Sequence, residues 1–85
     1  MSLILDKKTK SDKKAKLQKI AKTAPQKPGI YFWYGKNQEI IYVGRANNLR
    51  ARLGQYFQSQ VEPKTKEMVS LAHNLKFLEK ALDIL

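Results

Sequence analysis

Tyr31 and Tyr42, followed by Arg45, Arg50 and Arg52, are the side chains of this sequence best suited to chemistry on a phosphate. Hydrolysis of a phosphodiester needs an activated water, positive charge on the phosphoryl oxygens and a stabilised leaving oxygen. A phenol positions or deprotonates water once cations or a metal lower its pKa from about 10. Arginine offers a planar fork matched to phosphate oxygens and keeps its charge. No Gly-rich phosphate loop, Ser-His-Asp arrangement or metal-ligand cluster appears, and no carboxylate has a clear claim to a metal. Each residue also has a plainer reading. Tyr31 and Tyr42 make a cross-strand aromatic pair, Arg50 and Arg52 are solvent-facing helix residues, and Tyr56 is a partly buried neighbour of Phe57. His73, Glu67, Glu79 and Asp83 read as surface helix residues. On the residues alone both sets of readings stand.

The elements that position these groups follow from pattern. Gly35-Lys36-Asn37-Gln38 separates two segments rich in aromatic and β-branched residues, the signal of a hairpin. Strands are predicted over about 30–34 and 39–43. A loop of those four residues puts Tyr34 opposite Glu39 and Tyr31 opposite Tyr42, with β-carbons roughly 5 Å apart. A one-residue change in the loop breaks this register. Asn47 or Asn48 is suited to cap a helix to about Phe57, with Leu49, Leu53 and Phe57 as its buried stripe. Gly54 inside that helix predicts close packing there. Pro63 precedes a helix over 64–74 with Met68, Val69, Leu71, Ala72 and Leu75 inward. Residues 75–78 fit a third strand or a continuation of that helix. Residues 1–10 lack periodicity, whereas Ser11 or Asp12 can cap a helix to about Lys22 with a thin stripe of Leu17, Ile20, Ala21 and Ala24.

Eighty-five residues allow one small domain, which buries only about 60% of its unfolded surface. The absence of cysteine excludes disulfides and thiolate metal sites. No apolar run approaches the roughly 20 residues of a membrane span, so the protein is expected to be soluble, cytoplasmic and without a membrane partner. The net charge is +10, and residues 1–28 hold nine lysines against Asp6 and Asp12. That imbalance suits an anionic polymer or, more plainly, a solvated lysine-rich tail.

Pro28-Gly29-Ile30-Tyr31, ten intervening residues, Tyr42-Val43-Gly44-Arg45-Ala46, Asn48-Leu49-Arg50-Ala51-Arg52-Leu53 and Tyr56-Phe57 follow in an order that resembles the GIY-YIG endonuclease superfamily. Within it, Ile41 to Arg50 is most similar to excinuclease-C (UvrC-type) N-terminal domains, and the likeness covers about residues 16–75. The resemblance implies an α/β (α+β) domain, with a mixed three-stranded sheet flanked by helices. It implies Tyr31 as general base or water-positioner, Tyr42 in support, Arg45 and Arg52 around the scissile phosphate, and Tyr56 completing the site. DNA would be held by Arg45, Arg50, Arg52, Lys64 and Lys66. The implied cofactor is Mg²⁺ or Mn²⁺. The implied partners are DNA and the excinuclease B subunit, with the A subunit reached indirectly, in an incision 3′ to damage. Two departures stand out. Arginine occupies position 45, where these domains usually carry lysine. The family's metal-binding glutamate and a later asparagine fall beyond Leu85, and Glu79 and Asp83 sit too early to replace that glutamate. Residues 16–85 are thus expected to form an incomplete nuclease domain behind a basic, flexible segment 1–15, and to cleave poorly or not at all. The alternatives are a stand-alone GIY-YIG nuclease with another DNA substrate, or a catalytically incomplete DNA-binding module.

Overall fold

The computed structural model describes residues 2–79, with side chains from Asp12 onward. Asp83 and the continuation of the chain past Glu79 lie outside the described residues. The elements run α1 (Ser2–Lys22), β1 (Gly29–Tyr34), β2 (Ile40–Ala46), α2 (Leu49–Gln55), α3 (Pro63–Leu71) and β3 (Asn74–Glu79). Helix α1 begins at Ser2, well before the predicted cap, because nothing between residues 2 and 22 breaks a helix: the segment has no Gly or Pro and is rich in Lys, Leu and Ala.

The sheet has the order β2-β1-β3 and is antiparallel throughout, not mixed. The hairpin sets β2 against β1. The chain then passes through α2 and α3 and re-enters at the end of β1, where the His73 amide donates to the Tyr34 carbonyl at 2.7 Å. From that point β3 can run only opposite to β1. Residues 75–79 are therefore strand, and α3 stops at Leu71 with Ala72 already extended. His73 lies in this extended link, not on a helix.

The hairpin register differs from the expected one by two residues. The Gly35 amide donates to the Glu39 carbonyl at 2.8 Å and the Gln38 amide to the Gly35 carbonyl at 3.1 Å. Gln38 takes a left-handed φ of 64°, so the loop proper is three residues long. A bulge in β2 adds a second shift, since Tyr34 pairs with Ile40 but Trp33 pairs with Tyr42. Tyr31 thus faces Gly44 and not Tyr42. One shift would have sent Tyr42 to the other face of the sheet, and the second returns it.

The core forms on one face of the sheet. Leu17, Ala21 and Ala24 of the α1 region meet Tyr31 and Trp33 of β1, Leu49 and Leu53 of α2, Val69 and Ala72, and Leu75 of β3, all buried. The α1 stripe is thin but fully used, and Lys13 Nζ donates to the Ser70 carbonyl at 2.8 Å, which ties α1 to α3. Leu71, expected inward, is 58% exposed, because the early end of α3 leaves it outside the contact with the sheet. Ile40, Val43 and Leu78 lie exposed on the opposite face, beside half-buried Ile30, Phe32 and Tyr34. Among the described residues no element covers that face.

Gly54 is the remaining correction. A β-carbon there would meet nothing within 4 Å, so the position is open and not close-packed. Gly54→Ala is expected to stabilise the domain by about 0.5–1 kcal/mol in urea unfolding, through the backbone entropy that glycine costs a helix.

Candidate active site

The Tyr31 side chain projects from the core face of β1 and is only 2% exposed. Its ring lies across Gly44 of the neighbouring strand, where a β-carbon would overlap the ring and the hydroxyl. The Tyr31 and Tyr56 hydroxyls are 2.7 Å apart and share a hydrogen bond that either can donate. Tyr56 is the C-cap of α2, so this bond fastens the end of the helix to the centre of the sheet. Around it the aromatic rings form a cluster. Tyr31 meets Tyr56 edge-on at 5.8 Å between centroids and Tyr42 at 6.2 Å, and Trp33 meets Tyr56 at 5.1 Å. Tyr42 is a diagonal neighbour of Tyr31, on the same face and more exposed.

Burial governs the ionisation of this pair. Desolvation raises the Tyr31 pKa, the Tyr56 hydrogen bond opposes it, Tyr42 adds to it and the Arg52 guanidinium lowers it. Tyr56 is pushed far above the ordinary phenol range, chiefly by burial and then by its bond to Tyr31. Both are neutral phenols near pH 7. For Tyr31 to take a proton from water, additional positive charge must approach it.

Arg52 supplies a cation beside the pair, and Arg45 shares a cavity with Arg52. Together with Asn47, Asn48 and Gln55 they line an open cavity of about 380 Å³ between the end of β2 and α2. Asn48 is the N-cap: its side chain accepts from the Ala51 amide at 3.0 Å. This cap sets the angle at which α2 leaves the sheet and so aims Arg52 at the cavity. Arg52 Nη1 reaches Gln55 Oε1 at 3.4 Å. A smaller recess of about 110 Å³ joins Arg52 and Gln55 to Tyr56 and Thr65.

The structure therefore brings Tyr31, Tyr42, Tyr56, Arg45 and Arg52 to one region. It does not bring Arg50 there. The Arg50 Nε donates to the Ala24 carbonyl at 2.8 Å, and its amide donates to the Pro25 carbonyl at 3.2 Å, so Arg50 fastens α2 to the segment after α1. Lys64 is exposed in the first turn of α3, and Lys66 lines a separate cavity against α1. Glu79 lies 3.5 Å from Lys27 in an exposed ion pair. The Tyr31–Tyr56 bond was not foreseen, although the register of Tyr31 and the four-residue step from Arg52 to Tyr56 were the signals for it.

The UvrC-like GIY-YIG domain matches residues 27–82. The UvrABC system protein C of Psychrobacter cryohalolentis is 41% identical over 66 residues, which is 76% of this chain and 11% of that protein. Its counterpart in Finegoldia magna is 43% identical over 68 residues, 80% of this chain and 10% of that protein. Among solved structures, the GIY-YIG N-terminal endonuclease domain of UvrC from Thermotoga maritima, bound to its catalytic divalent cation magnesium, is similar. Its TM-score is 0.68 at 33% identity, over 75% of this chain and 70% of that one. This chain belongs to the UvrC-like GIY-YIG domain family. It spans about a tenth of the length of the curated relatives it matches.

The donor set around Tyr31 consists of phenols, amides and guanidinium groups, and no group of three or more His, Cys, Asp or Glu occurs among the described residues. That set does not fit a divalent cation by itself.

Two outcomes follow. Gly44→Ala should destabilise the domain by about 1–3 kcal/mol in urea unfolding, the usual cost of overpacking. Alkaline pH should weaken the fold as well. The unfolded phenols ionise near pH 10 while folded Tyr31 and Tyr56 stay protonated, so the native state binds more protons above that pH. Stability is then fully present below about pH 10 and is lost as pH rises toward the folded values. Urea midpoints measured across this range should fall less steeply in Tyr31→Phe/Tyr56→Phe than in the parent.

Proposed function

We propose that this domain hydrolyses DNA phosphodiester bonds as a UvrC-type nuclease in nucleotide excision repair, with the 3′ incision as its reaction. The observation that supports this best is the part-buried Tyr31–Tyr56 hydroxyl pair at 2.7 Å next to Arg52, which lines a cavity together with Arg45. Tyr31 orients the attacking water through its hydroxyl, and Tyr56 holds that hydroxyl in place. Tyr42 flanks the approach to it. Arg52 and Arg45 bind the phosphoryl oxygens and stabilise the charge that builds on them. Mg²⁺ or Mn²⁺ is the cofactor proposed. The excinuclease B subunit is the proposed direct partner, with the A subunit upstream and the cytoplasm as the site of action. The phenols, amides and guanidinium groups around Tyr31, which do not fit a divalent cation by themselves, favour a second reading, a DNA-binding module that does no chemistry.

Nicking of supercoiled plasmid at high protein concentration, with Mg²⁺ or Mn²⁺, separates the two. The nuclease reading expects cation-dependent nicking that falls by about 10²–10³-fold in Arg52→Ala and by about 10²-fold or more in Tyr31→Phe. Nicking unaffected by either substitution would overturn the assignment of the site. Salt-sensitive DNA binding with no nicking by the folded parent would establish the module instead.

A further inference from the structure

A cavity of about 740 Å³ opens between α1, the α2–α3 link and α3. Phe57, Val61 and Val69 give it apolar walls, and Lys13, Lys14 and Lys66 line it with three cations and no acidic residue. It adjoins the candidate active site through shared lining residues. Arg52 and Gln55 border both the Arg45 cavity and the small recess, and Tyr56 borders both that recess and the α1–α3 cavity. Three neighbouring recesses thus follow one another from Arg45 past Arg52 and Tyr56 to Lys66 and Lys14.

We propose that this cavity receives an unpaired nucleotide of the same DNA strand whose phosphate occupies the Arg45–Arg52 site. The inference rests on the DNA reading given above and adds a position for the strand. The cations suit its phosphates and the apolar walls suit a base. Grooves that follow single strands combine cationic edges with an aromatic surface for stacking, and Phe57 provides that surface here. The volume falls in the roughly 300–1,000 Å³ range of pockets for compact organic ligands. A concave recess admits only what protrudes, and the bases of an intact duplex do not. Unpairing or extrusion is needed to present one. Among the described side chains of α1, Lys13 and Lys14 face this cavity, whereas Lys16 and Lys19 line a different recess with Asp12 and Ile20.

The test compares two double variants of equal charge, Lys14→Ala/Lys66→Ala and Lys16→Ala/Lys19→Ala, in anisotropy titrations over a range of salt. The probes are an intact duplex and the same duplex with a short single-stranded gap. The parent should prefer the gapped probe by roughly tenfold, given typical base-stacking strength. Lys14→Ala/Lys66→Ala should lose that preference and lower the salt slope on the gapped probe by about 1.4, as two lost single-strand contacts require. Lys16→Ala/Lys19→Ala should retain the preference. Phe57→Leu should lose the preference with the slope unchanged, and circular dichroism of each variant verifies its fold. Salt-dependent binding with equal losses in both lysine pairs would overturn the cavity assignment and leave the DNA reading standing. No binding of either probe by the parent would overturn both.

Discussion

The Tyr31–Tyr56 hydrogen bond is the contact on which the arrangement of the site depends. A buried phenol must find a partner or lose roughly 1–3 kcal/mol, and Tyr31 lies in the core, where the Tyr56 hydroxyl supplies the bond. Meeting that need constrains much else. The end of α2 has to reach the middle of β1, which fixes the length of the helix between its Asn48 cap and Tyr56. Residue 44 has to lack a side chain, since the Tyr31 ring occupies the space above it. Trp33 then packs against Tyr56 and Phe57, so the same turn that holds the hydroxyl also closes the core.

The electrostatics follow from that burial. A phenol pair sharing one hydrogen bond in a desolvated pocket resists ionisation, and both members are shifted in that direction. Arg52 opposes the shift but does not reverse it. Under the proposed nuclease reading, the pair is prepared to orient water before it is prepared to accept a proton. Arriving positive charge would act on a hydroxyl that is already fixed in place, so little reorganisation remains to be made at the time of reaction.

Much of this was legible in the sequence. The hairpin, the Asn48 cap, the Leu49 and Leu53 stripe and the α1 stripe of Leu17, Ala21 and Ala24 follow from spacing and local propensity, which act over a few residues. The register did not follow, because a left-handed residue in the loop and a bulge in β2 each moved it by one step. Gln38 is an unusual residue for a left-handed turn, and a bulge leaves no local mark in the sequence. Because the two shifts add to two residues, an even number, Tyr31 and Tyr42 stay on one face and their convergence survives the different pairing. The end of α3 was hidden for another reason. Residues 68, 71, 75, 78 and 82 fit a helix as well as the observed strand fits 75 to 79, and the choice was made by the return of the chain to β1. Helical spacing alone does not show that Arg50 Nε donates to the Ala24 carbonyl, because that contact depends on how the segment after α1 packs against α2.

The two sides of the sheet differ in what they present. Exposed Ile40, Val43 and Leu78 lie on the outer face together with Lys76 over the Tyr34 ring. The cations that line the Arg45–Arg52 cavity and the α1–α3 cavity lie along the helical side and at the end of β2: Arg45, Arg52, Lys66, Lys14 and Lys13. Helix α1 matters to this division in two ways. Its apolar stripe completes the core, and the Lys13 contact to Ser70 sets its flank against α3. The same docking that buries Leu17 also carries Lys14 to the wall of the cavity that Tyr56 borders.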